Sequence, residues 1–306
     1  MNFNYDIVIL GGGPAGLSAG IYSSRARLKT LILERQTPGG QVLITDKVEN
    51  YPGYISIAGY ELVDKMVQQV RNFQCEIKMG EVKEIIPLEK GFKVKTEGEE
   101  FLTKSVIVAT GRQPRRLNID GEIRLIGRGV SYCATCDGAF FRNKKVAVIG
   151  GGDSAVEEAI FLTKYASEVT IIHRRDELRA AKYLQERAFQ NEKIKFLYSH
   201  IPLKIVGEHF VEGILLKNLK DESEFLFEVD GVFIFIGSIP NTTFVKDLLN
   251  LGEGGGIITD EKMETNIKGI FAAGDVREKF LYQIATAVGE GAIAAVAAEK
   301  YIENNF

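Results

Sequence analysis

Two cysteines separated by two residues, Cys133-Ala-Thr-Cys136, are followed directly by Asp137. A pair at this spacing can be half of a metal site, two core cysteines or a redox couple. Zinc asks for about four ligands. The sequence offers no second CxxC, and its three histidines are far apart, so no metal site is expected. The redox reading is the one carried forward: such pairs commonly hold one thiol below the free value of roughly 8.5. Asp137 would be placed to donate a proton and take it back. The same residue also suits a helix N-cap at Asp137-GAFF. Cys75 stands alone after a predicted helix and reads as a small buried apolar residue.

The dithiol lies between two glycine-rich turns, Gly11-Gly-Gly13-Pro14-Ala15-Gly16 and Gly150-Gly-Gly152-Asp153-Ser154-Ala155. In a dinucleotide fingerprint the first glycine makes the tight turn. The second lets the backbone approach the pyrophosphate, and the third small residue lets helix and strand pack closely. The helix that follows offers unpaired N–H groups and the positive end of its dipole to the phosphates.

Eighteen positions beyond Gly16 stands Glu34, where a carboxylate accepts hydrogen bonds from ribose hydroxyls and repels a 2′-phosphate. The first site is therefore expected to take an unphosphorylated ribose, as in FAD or NAD. The same offset from Ala155 reaches His173, followed by Arg174, Arg175 and Arg179. With no acid there and four groups able to carry positive charge, the second site is expected to take NADPH. The competing reading of His173-Arg-Arg is a solvated surface run.

The elements around these turns give them their context. Residues 6–10 read as a buried strand, about 15–27 as a helix and 29–34 as the next strand, the βαβ setting a fingerprint requires. The grammar recurs with a strand at 145–150, a helix at 154–165 and a strand at 168–173, an internal repeat of one nucleotide-binding unit. Segments 81–89, 91–96 and 101–109 look like meander strands, and 204–232 repeats that pattern. Residues 269–275 give a last strand and Gly-Asp turn before an alanine-rich helix at about 282–301. The fold class expected is α/β, two Rossmann-like domains each with a small antiparallel meander, the second inserted in the first. The expected boundaries are 1–115 with 242–306 for the first domain and 116–241 for the second. Pro and polar residues around 112–118 and 237–241 read as linkers.

The length of 306 residues can hold two such domains. A net charge of −3 gives no basic footprint, so nucleic acid is not expected as a partner. No apolar run approaches the roughly 20 residues of a spanning helix. Residues 1–10 carry no basic stretch and enter a strand directly, so a cytoplasmic chain without a leader is expected.

The whole chain resembles the low-molecular-weight, bacterial-type thioredoxin reductases. The resemblance rests on Gly11-GGPAG, Gly39-GQ, Val48-ENYPG, Ala109-TG, Cys133-ATCDG, Gly150-GGDSAVEEA, His173-RRDELRA and Gly269-IFAAGD, in the family's order. It implies FAD at the first site, NADPH at the second, a Cys133–Cys136 redox disulfide with Asp137 as acid and base, and a homodimer. It implies an FAD shell of Gly11, Gly13, Pro14, Ala15, Gly16, Glu34, Arg35, Gly40, Gln41, Asn50, Val82, Ala109, Thr110, Gly111, Gly274, Asp275, Gln283 and Ile284. Within it, Glu34 meets the adenosine ribose, Gln41 and Asn50 the flavin side, Asp275 the ribitol and Gln283 the pyrimidine end of the ring. For NADPH it implies Gly152, Asp153, Ser154, Ala155, His173, Arg174, Arg175 and Arg179. One departure is visible: members often carry Arg before the glutamine matching Gln283, and this chain has Tyr282.

The activity so implied runs from NADPH through flavin to the disulfide and on to oxidised thioredoxin. Dithiol and nicotinamide would share the inserted domain and both need one flavin, so that domain is expected to rotate on its linkers. Competing readings are a related flavoprotein that serves a peroxiredoxin or another thioredoxin-like protein, a ferredoxin-driven reductase, and a small-molecule dithiol oxidase. A reading from a different class is a non-catalytic NADPH sensor, which has no need of Cys133-ATCD.

Overall fold

The computed structural model describes residues 2–45 and 48–306; Met1, Asp46 and Lys47 lie outside the described residues. The chain divides into two units, Met1–Gln113 with Ile239–Phe306, and Pro114–Ser238.

The first unit opens with β1 (Tyr5–Leu10), α1 (Pro14–Arg25), β2 (Thr30–Glu34), α2 (Gly59–Asn72) and β3 (Glu76–Met79). A meander follows, β4 (Glu84–Pro87), β5 (Phe92–Lys95) and β6 (Glu100–Val108), and then β7 (Arg112–Pro114). The second unit holds β8 (Val130–Ser131), α3 (Ala134–Asp137), β9 (Lys145–Gly150), α4 (Asp153–Leu162), β10 (Glu168–His173), α5 (Lys182–Phe189) and β11 (Ile194–Tyr198). It continues with the meander β12 (His200–Val206), β13 (Gly213–Asn218) and β14 (Glu224–Glu228), and closes on β15 (Gly231–Phe235). The chain returns through β16 (Ser238–Pro240) to β17 (Ile270–Ala272) and α6 (Ile284–Asn305).

In the first unit, parallel strands lie in the order β3-β2-β1-β6, with β17 parallel to β6. The order reverses between β1 and β6, the place where doubly wound sheets open a nucleotide crevice. β1 reads as one apolar run because helices and loops cover both faces of a parallel sheet, and Ile7 to Leu10 are fully buried. The nine residues of β6 do two jobs. Phe101 and Thr103 alternate with more open neighbours where β6 pairs antiparallel with β5, and Ser105 to Val108 are continuously buried where it joins the parallel core. The meander is thus an extension of the main sheet.

α1 lies against α6 through small residues. A Cβ on Gly291 would stand 2.1 Å from the Ala15 carbonyl oxygen, and one on Gly16 would stand 1.9 Å from that of Gly11. α6 buries Ala287, Gly291, Ala294, Ala295, Ala298 and Ile302, spaced by three and four along one face. α2 buries Leu62, Val63, Met66, Val67 and Val70 in the same way. Truncating a fully buried leucine such as Leu17 costs about 2–5 kcal/mol in a packed interior.

The second unit repeats the pattern with the parallel order β11-β10-β9-β15-β8, but its meander β12-β13-β14 is a separate antiparallel sheet. Three details differ from the sequence expectations. The segments at 112–118 and 237–241 are not irregular throughout, because β7 and β16 pair with one another where the chain crosses between units. α4 stops at Leu162 rather than Tyr165. α6 starts at Ile284 rather than Tyr282, because Gln283 and Thr286 form a reciprocal cap there.

Candidate functional site: two nucleotide frames and a dithiol

At the end of β1, Gly11 has φ +108° and donates its N–H to the Leu33 carbonyl at 2.8 Å. A Cβ there would stand 2.3 Å from the Ala109 carbonyl oxygen, so Ala109 at the end of β6 sets the floor of the turn. Gly13 caps α1 with no side-chain hydrogen bond, and Pro14 opens the helix without an N–H of its own. A Cβ on Gly13 would meet nothing within 4 Å. Free amides facing open space are what a pyrophosphate requires, so the cradle fits a dinucleotide. Ala15 and Gly16 complete the helix's first turn.

Glu34 reaches this turn from β2. Its Oε2 accepts the Gly12 N–H at 2.6 Å and its Oε1 accepts the Gln36 N–H at 2.9 Å. A Cβ on Gly40 would stand 3.5 Å from the Gly13 Cα, and the Gly39 N–H donates to the Gly12 carbonyl at 2.8 Å. Gly274, at φ +79°, abuts Ala15, where an added Cβ would stand 2.7 Å from that side chain. Thr110 and Gly111 are tied to Asn241: the Thr110 hydroxyl donates to its carbonyl at 2.9 Å, and its N–H donates to the Gly111 carbonyl at 3.0 Å. Arg35 lies near Glu81, and Val82 packs on the apolar cluster that contains Leu33.

A second grouping follows in the same unit. Asn50 Nδ2 donates to Gln283 Oε1 at 3.0 Å, and Gln41 Nε2 donates to the Arg112 carbonyl at 2.8 Å. The Arg112 guanidinium lies 4.7 Å from the ring centre of Tyr282, and the Lys279 ammonium 5.5 Å from it. Tyr282 thus collects two cations beside the Gln283–Asn50 pair, and Ile284 begins the helix just beyond.

Asp275 is partly buried, with its Oδ1 out of contact with water. Burial pushes its carboxyl above the usual range, and Lys279 opposes that shift. Lys279 Nζ is 3.2 Å from Asp275 Oδ1, an ion pair without hydrogen-bond alignment, and that oxygen has no hydrogen-bond partner among the described residues. A buried acceptor left open in this way suits a ligand hydroxyl. Sequence reasoning missed the groups behind it. Glu290 accepts the Gly274 N–H at 2.8 Å and pairs with Arg277 at 3.0 Å and Lys279 at 3.3 Å. Its signal is a lone acid in the small-residue stretch of α6.

The second frame repeats the first with a different partner. Gly150 has φ +152°, and an added Cβ would stand 2.3 Å from the Phe235 carbonyl oxygen and 2.7 Å from the Ala155 side chain. Gly152 caps α4 without a side-chain bond and faces open space. His173 takes the place of Glu34, its ring 2.5 Å from where a Cβ on Gly151 would lie. His173 departs from its expected role as a fourth cation. It is 5% exposed, and burial with the nearby Arg179, Arg174 and Arg175 holds its imidazole below the usual value, which favours the neutral form. Its Nε2 is buried without a partner among the described residues. The charge at this site therefore comes from Arg174, Arg175 and Arg179, all exposed, beside exposed Ser154. Asp153 Oδ1 accepts the Ala181 N–H at 2.7 Å, and the Arg179 N–H donates to the Gly151 carbonyl at 2.7 Å. These two bonds fold the arginine segment onto the glycine turn.

In the same unit Cys133 and Cys136 are joined as a disulfide with Cα atoms 5.4 Å apart. Asp137 stands at the expected N-cap position of the 3₁₀ turn Gly138–Phe141, but its side chain makes no cap bond there. Cys133 caps α3, its sulfur accepting the Cys136 N–H at 3.1 Å, while Asp137 ends α3. Cys75 is a buried free thiol pushed up to about 11 by burial, which keeps it protonated.

Two uncapped dinucleotide frames, one with a carboxylate at the ribose position and one with arginines, and a disulfide in the second unit, define a dinucleotide-dependent disulfide oxidoreductase. The chain belongs to the family described as "Pyridine nucleotide-disulphide oxidoreductase", whose profile matches residues 5–291. It is 51% identical over 304 residues to a thioredoxin reductase of Listeria monocytogenes, covering 98% of this chain and 94% of that one. It is 48% identical over 300 residues to a thioredoxin reductase of Bacillus subtilis, covering 98% and 95%. Among solved structures, that of Lactococcus lactis thioredoxin reductase superimposes with a TM-score of 0.96 at 49% identity, covering 98% of this chain and all of that one. Members of this family use a flavin and a nicotinamide cofactor, and the two frames here accommodate one of each.

Proposed function

We propose that the chain is an NADPH-dependent thioredoxin-disulfide reductase, with FAD in the first frame and NADPH in the second. The observation that carries the reading is the Cys133–Cys136 disulfide in the same unit as the arginine-bearing frame. The names of the relatives support the choice of thioredoxin as acceptor.

When bound, the flavin supplies a hydride acceptor that releases electrons to a disulfide, and the nicotinamide supplies the hydride. The chain's own residues bind and orient. Gly11 to Gly16 offer α1 amides to the FAD pyrophosphate, and Glu34 turns to the adenosine ribose. Asp275 accepts from the ribitol, with Lys279 and Glu290 fixing it from behind. Gln41, Asn50 and Gln283 frame the ring end. Arg174, Arg175 and Arg179 bind the 2′-phosphate, and neutral His173 fills the space beside Gly151. The Cys133–Cys136 bond breaks as both sulfurs gain electrons, and Asp137 manages a proton there. A thiolate then attacks the thioredoxin disulfide through a mixed disulfide. Cys136 is exposed, and Phe140, 76% exposed, offers an apolar contact four residues on.

Because dithiol and arginine frame share one unit, the reading includes rotation of that unit on β7 and β16. It also includes a cytoplasmic homodimer, on family resemblance. Among the described residues no helix is long and apolar enough to cross a membrane, and no cluster of His, Cys, Asp and Glu could hold a metal.

The test is an anaerobic titration with NADPH. Flavin absorbance should bleach and the Cys133 and Cys136 thiols should become alkylatable. Bleaching with the disulfide left intact would remove it from the relay.

A further inference from the structure

Glu122 is fully buried, yet it belongs to neither nucleotide frame nor to the dithiol. An ionised carboxylate out of water is tolerated only when well bonded. Glu122 accepts three hydrogen bonds: the Leu117 N–H at 2.9 Å, the Asn118 N–H at 2.6 Å and the Tyr132 hydroxyl at 2.6 Å. Asn118, at φ +58°, turns the backbone directly after these two successive N–H groups. Gly121 pins the same turn onto β12, since a Cβ there would stand 2.0 Å from the Ile205 carbonyl oxygen. Burial and the Glu122 carboxylate push the Tyr132 phenol well above its usual value, so its hydroxyl remains a donor.

Tyr132 directly precedes Cys133. On the other side of it, Ser131 Oγ accepts the Cys133 N–H at 3.0 Å and donates to the Cys133 carbonyl at 3.1 Å. The backbone entering the disulfide is held at both residues before it, and one of the two holds ends on Glu122.

We propose that Glu122, acting through the Tyr132 hydroxyl, is a positioning residue for the redox disulfide: it fixes the Cys133 backbone where its sulfur meets that of Cys136. The proposal rests on Cys133–Cys136 as the redox couple. A disulfide closes more readily when its two thiols are pre-positioned. Loosening Cys133 therefore favours the open dithiol.

The test equilibrates wild-type holoenzyme, Tyr132→Phe and Glu122→Gln in mixtures of reduced and oxidised dithiothreitol. There the reagent's two thiols close to a cyclic disulfide, and the enzyme's S–S bond opens, taking up two electrons and two protons. Alkylation and intact mass then count the open dithiol. One net hydrogen bond is worth about 0.5–1.5 kcal/mol. Tyr132→Phe should therefore shift the equilibrium towards the dithiol by roughly 2- to 13-fold, with unchanged flavin content, and Glu122→Gln should shift it the same way. An equilibrium constant for Tyr132→Phe within twofold of wild type overturns the proposal, even if Tm falls, and this holds if Glu122→Gln does not fold. The relay reading fails separately, if NADPH leaves the wild-type disulfide closed.

Discussion

The backbone N–H of Cys136 points at the sulfur of Cys133, 3.1 Å away. In the reduced protein that amide would donate to a Cys133 thiolate, whereas among the described residues no hydrogen bond to the Cys136 sulfur is seen. Hydrogen bonds to charged groups are worth about 1.5–3 kcal/mol, and one pKa unit is about 1.4 kcal/mol. In Cys136→Ser the Cys133 thiol should titrate about one unit or more below the free value of roughly 8.5, followed by thiolate absorbance. Cys136 in Cys133→Ser should titrate higher than that. The reverse order would assign the stabilised thiolate to Cys136.

Nucleotide choice rests on the exposed arginines folded onto the glycine turn by Asp153. Arg174→Ala or Arg175→Ala should raise the KM for NADPH by about 10- to 100-fold, the loss of one charged hydrogen bond to phosphate. The KM for NADH should move little. Equal losses for both nucleotides would mean that the arginines do not read the 2′-phosphate.

His173 gives the protein a pH dependence of known sign. Its imidazole is held below the ordinary value in the folded chain, so the unfolded chain takes up the proton first as pH falls. The stability contributed by neutral His173 is complete above the ordinary value, about 6.5, and is lost as pH falls through the lower folded value. Urea unfolding of wild type and His173→Gln across pH 7.5 to 5 should show the advantage of wild type shrinking with falling pH. An advantage that grows would reverse the sign.

Glu34 ties the first glycine turn to β2 through the Gly12 N–H. Replacing it with Ala removes that bond and the expected ribose acceptor. FAD should then be released at concentrations of protein about 10-fold higher than for wild type, read by recovery of free flavin fluorescence, within the range for a charge-assisted bond. Unchanged retention of FAD would place the ribose elsewhere.

Much of this architecture was open to reading in the chain itself, for physical reasons. The α/β class followed from apolar strands that run straight into glycine turns. Glu34 and His173 could be placed because strand, turn and helix fix the offset from the last small residue of the fingerprint to the tip of the next strand. The charge of His173 could not be read, because it depends first on burial, which the fold decides. The short helix α3 ahead of Asp137 gives no sign in the sequence, because its cap is a cysteine, not a usual capping residue. The β7–β16 pair looked like two linkers, since short strands rich in Pro and polar residues carry no period. Glu122 and Glu290 gave little sign of themselves, because a buried acid is recognised by the N–H groups around it, and those come from the fold.

The most direct test of the account is NADPH-dependent reduction of a thioredoxin disulfide by the purified yellow protein, run beside Cys136→Ser. Turnover with NADPH, weak turnover with NADH and none in the variant, whose flavin is still bleached by NADPH, are the expected results. A protein that oxidises NADPH but leaves thioredoxin oxidised, or a variant as active as wild type, would contradict it.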